Sequence, residues 1–194
     1  MVAESLAASG PLARRGVRRV RSERALIRGA LAGSEADLEE LFRRYWPRSY
    51  RAAYLIVHDH AAAEDIAQEA FMRAVGHLDQ FDRGRRFGPW LGAIVANRAI
   101  DWVRAQAARH EASGVPPETG DPQEQLPGRY SQEVVAALAS LSPEHRAVVV
   151  LRYVLEYTPG EIAVALDLPR GTVNSQLRRG LDALESRLRE VDGP

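Results

Sequence analysis

The chain has 194 residues, of which 26 are basic and 26 acidic, so its formal net charge is zero. Every basic residue is arginine and there is no cysteine, which excludes a disulfide framework and any zinc or iron–sulfur centre held by thiolates. No apolar run approaches the about 20 residues that span a bilayer, so the sequence predicts a soluble protein of one large or two small domains. The neutral total argues against a nucleic-acid partner.

The neutral total nevertheless hides an uneven distribution of charge along the chain. Residues 1–28 carry a net charge of +5, residues 29–110 are balanced, residues 111–130 carry −3 and residues 131–194 carry −2. Residues 1–22 are rich in Ala, Gly and Arg and lack apolar periodicity, which predicts a basic disordered tail. An organelle transit peptide, also Arg-rich and poor in acidic residues, is the alternative for this segment.

Residues 23–110 are predicted to form a four-helix domain. Apolar residues recur at steps of three and four over residues 38–56, which indicates one long helix, with Ser34 as its N-cap and a kink or a loosened turn at Pro47. A second apolar stripe covers residues 63–78. After a loop, a last helix is expected from about residue 88 to residue 109, with Trp102 facing inward.

Residues 111–130 read as a flexible linker. They hold four of the 11 prolines and four acidic residues, with almost no large apolar side chains. Such a composition buries too little surface to order itself.

Residues 131–190 are predicted to form a second helical domain that contains a helix-turn-helix. Ser142 followed by Pro143 marks one helix start, and the Thr158–Glu161 pair is a capping box for a short helix. A turn at residues 167–169 then leads into a last helix over about residues 170–190. Its predicted buried stripe is Val173, Leu177, Leu181, Leu184 and Leu188. No stretch alternates as a half-buried strand does, so we expect an all-α fold.

The exposed face of the last helix has the profile of a major-groove reader. Small residues permit close approach, amide side chains bond adenine edges, and arginine reaches guanine or phosphate. The residues on or beside this face are Arg170, Gly171, Thr172, Asn174, Ser175, Gln176, Arg178 and Arg179. An ordinary solvated helix face is the alternative.

The first domain offers two further polar surfaces. One is a stripe at helical spacing opposite the apolar one, made of Asp65, Gln68, Glu69 and Met72. The other combines arginines with aromatic side chains, as single-stranded nucleic acid requires for phosphate contact and base stacking. Its members are Arg83, Arg85, Arg86, Trp90, Asn97, Asp101 and Arg104. A solvated face for the first, and a core position for Trp90, are the alternatives.

Three runs in this order, at residues 63–71, 87–104 and 161–173, closely resemble the extracytoplasmic-function (ECF) sigma factors of bacteria. The resemblance covers about residues 23–189. It implies an alternative sigma subunit of the sigma-70 family, with a sigma-2-like domain at residues 23–110 and a sigma-4-like domain at residues 131–190. Such a protein directs core RNA polymerase to specific promoters, assists promoter melting, and acts in the cytoplasm.

The resemblance also assigns roles to individual residues. It implies that Asp65, Gln68, Glu69 and Phe71 bind the β′ clamp helices of the polymerase, with the β flap as a further contact. The arginine loop and the residues from Trp90 to Arg104 would read the melted −10 element, and the helix from Arg170 would read the −35 element. An anti-sigma factor would hold the protein inactive. Asn174 and Gln176 stand where the family commonly has Lys and Arg, so fewer phosphate contacts are expected there.

Other function classes fit the sequence less well. A dimeric helix-turn-helix regulator would explain residues 131–190 but not the stripe at Asp65. A module that only sequesters a partner is a third class, and loss of transcription on mutating Asn97 or Arg178 with partner binding intact would argue against it. An enzyme is not expected, since there is no Gly-rich phosphate loop, no recognisable catalytic triad and no paired-carboxylate motif. His58 and His60 flank Asp59 in a loop, where solvent exposure is a simpler expectation than a metal site. We expect no cofactor.

Overall fold

The computed structural model describes residues 21–113 and 132–192, and it is helical throughout these ranges except for short connections. The predictions of a disordered tail and a flexible linker fall largely on residues outside the described ones. The helices are α1 (Glu23–Leu31), α2 (Glu35–Val57), α3 (His60–Gly76), α4 (Phe87–Ser113), α5 (Gln132–Ala139), α6 (Pro143–Tyr153), α7 (Pro159–Ala165) and α8 (Arg170–Asp192). The predicted all-α class is confirmed for this part of the chain, with four α-helices in each half.

Local signals set the helix starts that the sequence predicts. The Ser34 side chain accepts a hydrogen bond from the Asp37 N–H at 3.3 Å, and Ser142 caps α6 with Pro143 in its first turn. At α7 both bonds of the predicted capping box are present. These caps satisfy backbone N–H groups that have no partner inside the helix.

Two predicted details differ in the structure, whereas Pro47 lies inside α2 as predicted. This proline is exposed, so water can reach the carbonyl that it leaves unbonded. The helix α4 continues to Ser113, three residues into the predicted linker. Leu181 is 39 % exposed rather than buried, because the buried line of α8 passes through Gly180, 100° away around the helix.

Gly180 marks the closest approach of α8 to α6. A Cβ built on it would lie 2.9 Å from Cγ2 of the buried Val149. We therefore expect Gly180→Ala to give no increase in stability, although alanine in an open helix gains up to about 1 kcal/mol over glycine. Gly171 in the same helix has nothing within 4 Å of such a Cβ, so Gly171→Ala is the matched control and should be the more stable variant in urea unfolding. The reverse order would contradict the close packing at Gly180.

The two helical halves share one of the two hydrophobic clusters of the described residues. A first cluster lies wholly within α1–α4 and the loop before α4, and includes Leu26, Leu41 and Phe87. A second cluster joins α2, α3 and α4 to α5–α8, with Val95 and Val148 among its fully buried members. The two domains that the sequence predicts therefore pack against each other, which positions the residues of α6 and α7 over α4.

A buried arginine holds this packing together at one end. Arg146 of α6 is 7 % exposed, and its guanidinium donates to the carbonyls of Leu138, Ala139 and Leu141 at 2.7–2.9 Å. Its remaining Nη1 donates to the carbonyl of Ile56 in α2. One cation thus satisfies the carbonyls that end α5 and links the two halves. Burial lowers the Arg146 pKa to about 10, so the side chain remains charged at neutral pH.

His58 lies beside this arginine in an unusual environment. It ends α2 in the left-handed conformation, with φ of 57°, and both ring nitrogens are buried without a hydrogen-bond partner among the described residues. Burial and then the positive charge of Arg146 lower its pKa to about 3. The folded chain therefore keeps this imidazole neutral.

The unfolding free energy should consequently fall in acid. The neutral form of His58 contributes its full stability above the unfolded pKa of about 6.5, and this contribution is lost as the pH falls toward the folded value of about 3. One such group gives a slope of up to about 1.4 kcal/mol per pH unit. Asparagine also tolerates the left-handed conformation, so urea unfolding of His58→Asn should show a smaller acid loss than the wild type. Identical pH dependences would contradict the assignment.

Candidate functional site

The first candidate surface is the outer face of α3. Asp65, Gln68 and Glu69 are exposed along it, and Met72, one turn further on, is 67 % exposed. The Glu69 carboxylate accepts from Arg98 Nε of α4 at 2.8 Å, which ties this face to the neighbouring helix. The surface offers acceptors, an amide and a flexible apolar side chain to a protein partner.

Phe71 does not belong to this surface. It is 4 % exposed and packs in the core of the first domain, because it continues the apolar stripe of α3 rather than the polar one. Phe71 therefore offers a partner almost no accessible surface in this structure, and its implied part in polymerase binding stays a prediction. Its ring packs in the core beneath the α3 face.

Two aromatic residues of α2 extend the α3 face, and the sequence reasoning missed them as site residues. Phe42 is 39 % exposed; its ring stacks on Trp46 with 4.8 Å between centroids and meets Phe71 edge to face at 4.9 Å. Their i, i+4 spacing on a helix that already has a buried stripe was the available signal. Trp46 is half-buried, and adjacent accessible apolar side chains of this kind mark interaction surfaces.

The second candidate surface begins with the arginine loop. Asp82 shapes it: its Oδ1 accepts from the Gly84 N–H at 2.8 Å, and its Oδ2 lies 3.4 Å from Arg85 Nε. Arg83, Arg85 and Arg86 are all exposed. The loop thus presents three guanidinium groups to solvent, a suitable arrangement for phosphates.

Ring packing fixes Trp90 next to this loop. Its ring centroid lies 5.0 Å from that of Phe81 and 5.6 Å from that of Phe87. Trp90 is partly buried against the core of the first domain, so it has both a packing role and an accessible edge.

A carboxylate from α1, which the sequence reasoning also missed, positions the start of α4. Glu23 Oε1 accepts from the Phe87 N–H at 3.0 Å, and its Oε2 accepts from the Tyr45 hydroxyl. An acidic group at a helix N-terminus is favourable. Burial, followed by the bond to Glu23, raises the Tyr45 pKa above its ordinary value, so the hydroxyl stays a donor.

The line predicted along α4 forms, but α6 and α7 contact it. Asn97, Asp101 and Arg104 are exposed on one side of α4. Asn97 Nδ2 donates to the Ala165 carbonyl at 3.3 Å, and the Arg104 guanidinium donates twice to Glu144 Oε1, at 2.8 and 3.1 Å.

The arginine loop makes a similar contact with the second half of the chain. Arg86 Nη1 pairs with Glu161 Oε1 at 3.1 Å. Partial burial would raise the pKa values of Glu144 and Glu161, but hydrogen bonds from the backbone and the arginine partners outweigh it, and both values lie below the ordinary one. Both carboxylates are therefore ionised at neutral pH.

The third candidate surface is the first part of α8, which follows the turn from α7. Asp167 adopts the left-handed conformation in that turn, with φ of 51°. Val173 and Leu177 anchor the helix in the core. The remaining side of its first turns is accessible: Arg170, Gly171, Asn174, Arg178 and Arg179 are exposed, while Thr172 and Ser175 are half-buried.

Gln176 departs from the prediction for this face. Its Oε1 is buried and has no hydrogen-bond partner among the described residues. The reason is its place in the helix, one residue before Leu177 and three after Val173, at the boundary with the buried side. The Gln176 carbonyl oxygen is not accessible to a base in this conformation.

Within the described ranges, no group of three His, Asp or Glu side chains could hold a metal ion. Nor does any described helix combine the length and apolar character needed to cross a membrane.

Comparisons with known proteins assign this arrangement to a family. The family model for Sigma-70 region 2 matches residues 41–109, and the family model for Sigma-70, region 4 matches residues 131–184. The ECF RNA polymerase sigma factor SigW of Bacillus subtilis (strain 168) is 32% identical over 183 residues, covering 85% of this chain and 96% of SigW. The corresponding factor SigL of Mycobacterium tuberculosis (strain ATCC 25618 / H37Rv) is 31% identical over 173 residues, covering 86% and 97%.

Solved structures agree with this assignment. CnrH, in complex with the cytosolic domain of CnrY, has a TM-score of 0.66 and 26% identity, covering 88% of this chain and 98% of CnrH. The sigma factor RpoE of Bartonella quintana shares the fold at a TM-score of 0.68 and 23% identity, covering 78% and 96%. The chain belongs to the ECF RNA polymerase sigma factors, which are transcription initiation factors.

Proposed function

We propose that this sigma factor uses the three surfaces for three different partners. The α3 face, extended by Phe42 and Trp46, binds the β′ clamp helices of core RNA polymerase. The arginine loop and α4 hold the melted non-template strand of the −10 element, and the first turns of α8 enter the major groove of the −35 element, with the β flap holding the second domain. The protein works in the cytoplasm, where the polymerase is.

This proposal is supported by one observation: the three surfaces present different kinds of side chain. The α3 face combines carboxylates, an amide and exposed apolar side chains, which suits a protein partner. The loop and α4 combine guanidinium groups with an aromatic edge, which suits unpaired bases. The α8 face is small and polar with two arginines one turn further on, which suits a duplex groove.

Control by an anti-sigma factor is part of the proposal. CnrH, a relative with this two-domain fold, was solved bound to the cytosolic domain of CnrY. By analogy, a protein partner that covers the α3 and α4 surfaces would prevent polymerase and promoter binding together. A pull-down from the host with the full chain as bait, followed by competition with core polymerase, tests this part.

Loss of the polar groups on α3 should weaken binding to core polymerase. Truncating two central interface contacts costs about 1–2 kcal/mol each, so we expect Asp65→Ala with Gln68→Ala to raise the Kd for core about 30-fold to nearly 1,000-fold. Asp79→Ala with Gln80→Ala removes the same two side-chain types from exposed positions elsewhere in the domain. Equal affinities of the two double variants, each with wild-type stability, would overturn the docking assignment.

A further inference from the structure

The side of α4 that carries Asn97 and Arg104 is occupied by the protein's own second half. Both side chains are bonded to acceptors there, the Ala165 carbonyl and the Glu144 carboxylate, and Arg86 is bonded to the Glu161 carboxylate. A carbonyl oxygen and two carboxylates present the same chemistry as a base edge and two phosphates. The same donors cannot bind both sets of acceptors at once.

One aromatic side chain adds to the shared hydrophobic cluster where α4 meets the segment between α6 and α7. Tyr157, between α6 and α7, is 5 % exposed, and its hydroxyl donates to the Gly88 carbonyl of α4 at 2.5 Å. Gly92 leaves space on the surface of α4 for this ring. A Cβ on Gly92 would lie 2.6 Å from Tyr157 Cε2 and 2.7 Å from its hydroxyl oxygen. Arg48 of α2 adds a hydrogen bond from Nη2 to the Leu155 carbonyl at 3.0 Å.

We propose that the second domain and single-stranded promoter DNA compete for one surface of α4, and that Tyr157, seated against Gly88 and Gly92, is the latch that keeps the free protein closed. This inference rests on the proposed role of α4 in −10 binding. It goes further by assigning a second occupant to that surface and a residue that controls the exchange.

The energetics favour a latch over a set of ion pairs. The arginine side chains of the Arg86–Glu161 and Arg104–Glu144 pairs are 60 % or more exposed, and exposed pairs of this kind contribute little and release easily. The buried tyrosine, by contrast, loses both its packing and its hydrogen bond to Gly88 when the domains separate. The apparent affinity of the free chain for DNA is then reduced by the fraction of molecules that are open.

Gly92→Ala is a sharp test, because the three atoms nearest to the added methyl group all belong to Tyr157. Within α4 alone, alanine is the better helix former, so the substitution should force the domains apart without weakening the first domain. Gly76→Ala, at the end of α3 with nothing within 4 Å, is the matched control. Tyr157→Phe removes only the bond to Gly88 and serves as a second, milder variant.

The measurement is the binding of a short fluorescein-labelled DNA strand by the free protein. The strand carries the non-template −10 sequence of a promoter that the holoenzyme transcribes, and scattering in solution reports the radius of gyration. We expect Gly92→Ala to bind about tenfold more tightly than wild type with a larger radius, Tyr157→Phe about fivefold more tightly, and Gly76→Ala to match wild type. Holoenzymes made with all four proteins should bind the promoter equally.

Two results would overturn the inference, and they are distinguishable. If both latch variants bind the strand as wild type does, while the holoenzyme still requires Asn97, competition is wrong and the role of α4 stands. If no free protein binds the strand and Asn97→Ala leaves the holoenzyme unaffected, the role of α4 in −10 binding is wrong, and competition falls with it.

Discussion

Arg146→Ala should lower the free energy of unfolding by about 3–5 kcal/mol, the largest stability effect we expect from one substitution. The guanidinium satisfies four backbone carbonyls in a nearly buried setting. Its removal takes one donor from each of those carbonyls, of which the Leu138 carbonyl keeps the Leu141 N–H, and opens a cavity where α5, α6 and α2 meet. Since whole domains are stable by only about 5–15 kcal/mol, the variant should show a clearly lower urea midpoint.

The control for this substitution is Arg109→Ala, which removes an exposed arginine from α4. We expect it to change the stability by about 0.5 kcal/mol or less. Arg146→Lys should fall between the two, because an ammonium group cannot reach carbonyls in four directions as a planar guanidinium does. If Arg146→Ala is as stable as Arg109→Ala, this arginine does not hold the two halves together.

Asn97→Ala should reduce transcription by the holoenzyme about tenfold to 100-fold, because one well-placed contact to a base edge is worth about 1–3 kcal/mol. The loss should occur at promoter opening, with binding of the variant to core polymerase unchanged, since Asn97 does not lie on the α3 face. Permanganate footprinting of the melted strand measures this step directly.

Gln106→Ala is a suitable comparison for Asn97→Ala. It removes an amide side chain from the same helix, nine residues on and therefore on the opposite side. A normal footprint with Asn97→Ala, or an equal loss with Gln106→Ala, would show that the Asn97 side chain has no specific role in strand capture.

Local signals in the sequence were sufficient to predict most of the helices and most of the exposed surfaces, although the sequence analysis did not place α1. Ser34, Ser142 and Thr158 begin their helices as predicted, because a cap depends on neighbours only three residues away. The polar faces of α3 and α8 follow from helical periodicity alone. The resemblance added the order of the three surfaces along the chain, which periodicity cannot supply.

The contacts between the two halves could not be predicted in this way. Arg146 reads as an ordinary surface arginine until the end of α5 and the end of α2 are placed around it. Tyr157 and Gly92 are 65 positions apart, and nothing local to either indicates that one makes room for the other. Gln176 lies at the edge of a buried stripe, where helical periodicity does not decide exposure.

The neutral total charge also takes a different meaning in the structure. Acidic residues of the second half pair with arginines of the first, as Glu144 does with Arg104 and Glu161 with Arg86. A chain with zero net charge can therefore contain a basic surface for nucleic acid whose arginines are paired with the chain's own carboxylates. Such a surface gains its attraction for phosphates only when the acidic partners leave.

Transcription in vitro with purified core polymerase and sheared DNA of the host, followed by mapping of the transcript starts, tests whether this protein directs the polymerase to promoters. We expect start sites that require both core and this protein, with shared sequences at −10 and −35, and loss of these starts with Asn97→Ala or with Arg178→Ala. The absence of any start beyond those of core alone, together with no binding to core, would contradict it.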